Sequence, residues 1–131
     1  MIKLIASDID GTLLQNGTRE ISEEFFTYIK ELQKRGIYFA AASGRQLANL
    51  ERLFAPIKDE MAYIGENGAL IVYQGKVISK QPIERTIGEK ILQDIREQED
   101  CEILLSGMNT SYLEPKTKDY EDHMRFLSKI M

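Results

Sequence analysis

The order in which short apolar runs and amphipathic segments alternate restricts the fold of this chain more than any other feature. The apolar runs Ile2–Ser7, Ile37–Ala42 and Met61–Ile64 predict three buried strands. Residues at helical spacing separate them, first between an N-cap at Ser22 and a C-terminal Gly36, then from about Arg45 to Ala55. This order predicts right-handed crossovers and an α/β fold with a three-layer, Rossmann-like parallel sheet.

After the third strand the pattern changes to tight alternation around two glycines. The stretch "IGENGALIVYQGKVIS" predicts a hairpin of strands Ala69–Tyr73 and Lys76–Ser79. Pro82 marks a boundary, so we divide the chain into residues 1–81 and residues 82–131. For the second part the sequence predicts, in order, a helix near Ile87–Glu97, strands at Glu102–Leu105 and Ser111–Leu113, and a helix near Asp119–Ile130.

Composition excludes several classes of partner. The 131 residues carry a net charge of −4, which offers no electrostatic surface for nucleic acid or for an anionic membrane. No apolar stretch is long enough to span a bilayer, and acidic residues come too early for a signal peptide. The single cysteine, Cys101, excludes an intrachain disulfide. We therefore expect a cytoplasmic protein that binds a small molecule.

Polar residues follow each of the three predicted parallel strands. Asp8 and Asp10 lie in the stretch "ASDIDGTLL" after the first strand, Ser43 follows the second, and Glu66 with Asn67 follows the third. Ligands of open parallel sheets bind just outside the carboxyl ends of the strands. The three positions therefore predict one site.

The residue types at this site suit phosphoryl transfer through a covalent intermediate. Such chemistry needs a nucleophile, a cation that offsets the phosphate charge, and a proton donor for the leaving oxygen. Asp8, at the strand end, suits the nucleophile, and Asp10 is placed to protonate the leaving group and later to deprotonate water. Gly11 permits close approach of the backbone to phosphate oxygens, and Thr12 offers a hydroxyl.

The second and third positions each have a structural and a functional interpretation. Ser43, with Gly44 and Arg45 opening a helix behind it, forms an anion site, or Ser43 is simply a turn or capping hydroxyl. Arg45 is either a substrate contact or a solvated helix residue. Asn67 is a substrate contact or part of an ordinary Asn-Gly turn.

The run Asp8-Ile9-Asp10-Gly11-Thr12 after an apolar strand resembles the first motif of the haloacid dehalogenase-like hydrolases, and Ser43-Gly44-Arg45 resembles the second. The sequence "ENGA" at 66–69, followed by a hairpin, is similar to the Cof-type branch, mostly Mg²⁺-dependent phosphatases of sugar phosphates and other small phosphorylated metabolites. The resemblance implies that Asp8 is the nucleophile and a Mg²⁺ ligand. It implies that Asp10 is the acid/base and gives Mg²⁺ its backbone carbonyl, and that Ser43 binds phosphate.

The resemblance covers the front part of such proteins. It implies that residues 1–81 are the N-terminal part of an incomplete core and that residues 82–131 begin an α+β cap domain. The later lysine and the glycine-aspartate acidic motif of the family are absent, so we expect a truncated chain. Two alternatives stay open: an inactive, folded module, and a receiver-like domain. Receivers accept phosphate on an aspartate at the end of the third strand, where this chain has Gly65, Glu66 and Asn67.

An incomplete core predicts self-association. Three parallel strands without their remaining neighbours leave a sheet edge unpaired and apolar surface uncovered, and both promote contact between copies. We expect a homo-oligomer at micromolar concentration. Light scattering measures this directly, and a mass equal to that of the monomer would contradict it.

Overall fold

The computed structural model describes residues 1–130, and their contacts divide the chain into two compact units. The first unit covers Met1–Gln81 and the second begins at Pro82, at the position where the sequence predicts a boundary. That the two units are a core and a cap stays a prediction.

A five-stranded sheet forms the centre of the first unit. Its strands, adjacent in chain order, are β1 (Leu4–Asp8), β2 (Tyr38–Ala42), β3 (Ala62–Gly65), β4 (Leu70–Tyr73) and β5 (Lys76–Lys80). The first three run parallel, and β4 runs antiparallel to both of its neighbours, β3 and β5. A return in parallel needs a crossover of about a dozen residues, and the turn Glu66–Gly68 is far shorter. The predicted α/β fold with a hairpin is confirmed.

Two helices connect the parallel strands, and their ends follow local chemistry. In α1 (Glu23–Lys34) the Ser22 hydroxyl oxygen accepts the backbone N–H of Phe25 at 3.3 Å, as an N-cap should. The second helix, α2 (Leu47–Leu53), is shorter than predicted at both ends. It begins after Gln46, and a 3-10 segment with Pro56 near its start replaces the last turn. Proline lacks the N–H that would continue an α-helix.

Both helices pack on the same face of the sheet. The strand register places Phe39, Tyr63 and Val72 on this face, where they form one buried cluster with Ile29 of α1 and Leu50 of α2. Right-handed crossovers between strands added in one direction put both helices on one side. The core of the first unit is therefore one-sided.

Tyr63 lies at the centre of this core and keeps its hydroxyl satisfied. The hydroxyl donates to the backbone carbonyl of Lys58 at 3.1 Å. Burial raises the pKa of Tyr63 well above that of a free phenol. The group therefore stays a neutral hydrogen-bond donor.

The opposite face of the sheet is partly open. Leu4 and Tyr38, which are register partners on this face, are 54% and 51% exposed. Tyr38 meets Tyr73 edge to face with the ring centres 5.6 Å apart. Within residues 1–130, β1 pairs with β2 alone, so its outer edge is also open. Self-association through this surface stays a prediction.

The other edge of the sheet, formed by β5, is exposed and carries lysines. Every residue of β5 is exposed, and Lys76 and Lys80 stand at its two ends. Lysines on an edge strand disfavour the addition of another strand.

The second unit contains a helix, a hairpin and a second helix, as predicted. Its elements are α3 (Arg85–Arg96), β6 (Ile103–Ser106), β7 (Ser111–Glu114) and α4 (Lys118–Ile130). The antiparallel strands β6 and β7 form their own sheet. Arg96 joins α3 to β7 by two hydrogen bonds of 2.6 Å to the Glu114 carboxylate. None of the helices in the described part of the chain is long and apolar enough to cross a membrane.

Truncating Leu50 tests the one-sided core. Leu50 is fully buried between α2 and the sheet, so Leu50→Ala should lower the free energy of unfolding by about 2–5 kcal/mol through lost burial and the cavity left behind. Urea denaturation measures this, with Lys30→Ala on the exposed face of α1 as the control. Equal midpoints for the two variants would contradict this description of the core.

Candidate active site

The parallel register brings three strand ends to one edge of the sheet. Asp8, the last residue of β1, pairs with Ala42 at the end of β2, and Ala42 pairs with Ile64 of β3. The Ser43 N–H continues the ladder by donating to the carbonyl of Ile64 at 2.9 Å. The residues that follow each strand therefore form three neighbouring turns.

The turn after β1 is built around the buried residue Ile9. The Ile9 side chain is fully buried, and its carbonyl accepts the N–H groups of residues 12, 13 and 14 at 3.3, 3.0 and 2.8 Å. Gly11 adopts φ 83° and donates its N–H to the Leu14 carbonyl at 2.9 Å. A positive φ costs glycine little, so the chain reverses directly after the two aspartates.

This reversal returns Thr12 to the strand end. Its hydroxyl donates to Oδ2 of Asp8 at 3.3 Å, and both residues are exposed. A hydroxyl donor restricts the rotation of the carboxylate and leaves its second oxygen open. The sequence places Thr12 at the phosphate, and the structure places it on the predicted nucleophile.

The turn after β2 differs from the expected helix start. The Ser43 hydroxyl oxygen accepts the N–H of Arg45 at 3.2 Å, and the Arg45 carbonyl accepts the N–H of Glu66 at 3.1 Å. These bonds hold Ser43-Gly44-Arg45 as a turn, and α2 begins only after Gln46. The prediction that these residues open a helix is wrong, because tertiary hydrogen bonds hold the backbone outside the helix.

Arg45 binds the side chain of Asp10. Its Nε donates to Oδ2 at 3.0 Å and its Nη2 donates to Oδ1 at 2.6 Å. The Arg45 side chain is 33% exposed and that of Asp10 is 58% exposed. The helical interpretation of Arg45 is wrong for the same reason as the helix start, and its contact with a phosphate or substrate stays a prediction. Sequence reasoning missed the pair, since 35 positions separate the two residues.

The turn after β3 carries two non-glycine residues in the left-handed region. Glu66 and Asn67 have φ values of 52° and 55°, followed by Gly68 at 94°. The Asn67 N–H donates to the Ser43 carbonyl at 3.2 Å, which ties the third turn to the second. Strained backbone of this kind concentrates at functional sites.

The Asn67 side chain also packs closely against Gly44. A Cβ built on Gly44 would lie 2.9 Å from Oδ1 of Asn67 and 3.2 Å from its Nδ2. The amide therefore rests directly on the Gly44 backbone. The structure brings Asp8, Asp10, Gly11, Thr12, Ser43, Gly44, Arg45 and Asn67 to the same edge of the sheet.

Within the described residues, the site does not contain the ligand set of a closed metal site. In the described residues, no group of three or more His, Cys, Asp or Glu side chains could hold a metal ion. Magnesium is usually bound by one or two carboxylates, completed by water and by substrate phosphate. The exposed carboxylate of Asp8 matches that pattern, whereas the Asp10 carboxylate is held by Arg45.

Comparison with known proteins points to one family. The sequence model of the haloacid dehalogenase-like hydrolases matches residues 5–130. The chain is 30% identical over 129 residues to a 5-amino-6-(5-phospho-D-ribitylamino)uracil phosphatase of Escherichia coli K12, covering 98% of this chain and 46% of that protein.

Solved structures agree with the sequence match. A protein from Eubacterium rectale superimposes with a TM-score of 0.82 at 30% identity, covering 92% of this chain and 46% of that one. A phosphatase of the haloalkanoate enzyme superfamily from Bacteroides thetaiotaomicron gives a TM-score of 0.75 at 29% identity, covering 98% and 47%. The chain thus spans about half the length of the relatives it matches.

The contact between Gly44 and Asn67 is open to a direct test. Gly44→Ala should displace the Asn67 amide, because the added Cβ cannot fit at 2.9 Å, and the NMR signals of the Asn67 side-chain and backbone amides should shift. Gly88→Ala in α3 is the matched control, since its Cβ meets its nearest neighbour at 3.7 Å. Unchanged Asn67 signals in Gly44→Ala would show that the amide does not rest on Gly44.

Proposed function

The chain belongs to the haloacid dehalogenase-like hydrolases, and we propose that it carries the nucleophile and the acid/base of a Mg²⁺-dependent phosphatase that works through an aspartyl-phosphate intermediate. One observation supports this most strongly: the carboxylate of Asp8 stands at the end of β1 with Thr12 donating to it, and Asp10 follows on a fixed turn. Two carboxylates so placed can divide nucleophilic and proton-transfer work.

The proposed reaction has two steps. An oxygen of Asp8 attacks phosphorus, the bond from phosphorus to the ester oxygen breaks, and Asp10 gives that oxygen a proton. Water then attacks the aspartyl phosphate, Asp10 takes a proton from it, and inorganic phosphate leaves with Asp8 restored. Magnesium, held by the Asp8 carboxylate and the Asp10 backbone carbonyl, would offset the negative charge of the phosphate.

The remaining site residues have binding roles in this proposal. The turn at Gly11 presents backbone close to the phosphate, and Thr12 restrains Asp8. Ser43 offers a hydroxyl, and Gly44 has no side chain between its turn and the phosphate. Asn67 lies over Gly44, and Arg45 stands beside Asp10, so each can contact either the phosphate or the leaving group.

The proposed substrate is a small phosphorylated metabolite such as a sugar phosphate. The net charge of −4 disfavours nucleic acid and anionic membranes as partners. The similar E. coli protein is named for a phosphorylated ribityl compound, which supports a polyol phosphate. We place the reaction in the cytoplasm, since the single cysteine suits a reducing compartment.

A second candidate is a folded module without turnover. The 131 residues span about half of the matched relatives and contain neither the later lysine nor the glycine-aspartate motif that the family resemblance implies. Groups of a catalytic site act as a unit, so a site without these groups should turn over slowly. Downstream genomic sequence separates the two candidates: an in-frame continuation with both motifs supports the phosphatase, and a stop codon supports the module.

Asp8→Asn tests the proposed nucleophile. With Mg²⁺ and an aryl phosphate, the unmodified chain should release phosphate, and Asp8→Asn should reduce the rate on the order of ten-thousandfold or to background, because an amide cannot form the acyl phosphate. Asp94→Asn on α3 is the matched control and should keep the rate of the unmodified chain.

Fluoroberyllate binding separates the two candidates even where turnover is absent. This ion mimics a phosphoryl group on a carboxylate, so a bound ¹⁹F signal that needs Mg²⁺ and disappears in Asp8→Asn would support Asp8 as the phosphate acceptor. Equal ¹⁹F spectra for the unmodified chain and Asp8→Asn, together with no hydrolysis, would favour the inactive module.

A further inference from the structure

The geometry of the ion pair between Arg45 and Asp10 fixes the orientation of both side chains. Two donors of one planar guanidinium meet the two oxygens of one carboxylate at 3.0 and 2.6 Å. A two-pronged bond of this kind sets the orientation of both groups as well as their distance. Ion pairs with side chains this exposed add little to folding stability. The effect of the Arg45–Asp10 pair is therefore to orient the two side chains.

The backbone of Arg45 is anchored on both sides. Its N–H is held by the hydroxyl oxygen of Ser43 at 3.2 Å, and its carbonyl is held by the N–H of Glu66 at 3.1 Å. Gly65 lies against the same carbonyl, which a Cβ at that position would meet at 3.3 Å. The guanidinium therefore extends from a base that is fixed to the ends of β2 and β3.

Asp10 has a fixed backbone but an exposed side chain. The neighbouring Gly11 N–H is bound to the Leu14 carbonyl, and Asp10 itself bridges to Leu14. Its side chain is 58% exposed, so the turn alone leaves several staggered χ1 rotamers accessible. Within residues 1–130, the hydrogen bonds that hold the Asp10 carboxylate come from Arg45.

We propose that Arg45 is a positioning residue that selects one rotamer of Asp10 and holds its carboxylate beside the Ser43 turn. This inference rests on the proposed function, which assigns proton transfer to Asp10. An acid/base is effective only when it is held within hydrogen-bond reach of the oxygen it serves. Arg45 thereby links the ends of β2 and β3 to a side chain in the turn after β1.

NMR couplings of the full chain test this role. The three-bond couplings from the Asp10 backbone nitrogen and carbonyl carbon to its Cγ report χ1. The unmodified chain should show the values of a single rotamer, and Arg45→Met should shift them to averaged values. Arg45→Lys keeps the positive charge but loses the pair of N–H donors that meets both carboxylate oxygens, so it should give intermediate couplings. Arg85→Met is the matched control, because it removes an exposed Arg–Glu pair of 2.7 Å in the second unit.

A second readout uses no Arg45 variant and so does not depend on how such a variant folds. The Arg45 Nε proton should exchange slowly with water in the unmodified chain and faster in Asp10→Asn. Unchanged Asp10 couplings in Arg45→Met, or equal Nε exchange in Asp10→Asn, would overturn the proposal. If added inorganic phosphate shifts the Arg45 Nε signal while Arg45→Met leaves the Asp10 couplings unchanged, Arg45 is a phosphate ligand and the positioning role fails.

Fluoroberyllate binding distinguishes a failure of this positioning proposal from a failure of the proposed function. The unmodified chain should bind the ion through Asp8, whereas Asp8→Asn should not. Loss of χ1 selection in Arg45→Met supports the positioning role, and binding of the ion to the unmodified chain supports the proposed function. Binding absent from the unmodified chain would count against the proposed function, while the couplings would still decide whether Arg45 orients Asp10.

Discussion

The in-register parallel pairing of β1, β2 and β3 is the constraint on which the site depends. Asp8, Ala42 and Ile64 lie side by side in the ladder, so the three turns that follow begin at one level. Residues far apart in the chain become neighbours without any specific recognition between them. A slip of one residue in β1 would move Asp8 to the other face of the sheet. Such a slip is opposed by Ile5, the β1 residue that packs against the core beside Phe39.

Hydrogen bonds between the three turns then fix the positions of the residues that the strand register brings close together. The third turn donates to the second through the N–H groups of Glu66 and Asn67, and the second turn reaches the first through Arg45. These bonds end at backbone atoms or at an exposed carboxylate, so they cost little burial of charge. Two left-handed residues in the third turn are tolerated because their N–H groups gain partners.

The sequence predicts the strand ends and the hairpin, which follow from hydrophobic periodicity and turn residues. It does not predict the contacts between turns, which depend on how the strands pair. Strand ends at Asp8 and before Ser43 follow from apolar runs, and the hairpin follows from the spacing of glycines. The contact between Gly44 and Asn67 and the pair between Asp10 and Arg45 join turns that only the folded sheet brings together. The late start of α2 has the same origin, because the N–H of Glu66, in the turn after β3, binds the Arg45 carbonyl that a helix would use.

The two edge strands of the sheet, β1 and β5, differ in how readily they can pair with a further strand. The β5 edge, exposed along its whole length and lysine-bearing, terminates the sheet, whereas the β1 edge can accept another strand. A strand that pairs there along the full length of β1 would lie beside Asp8. A polypeptide that extends the sheet in this way would therefore also form one side of the proposed site.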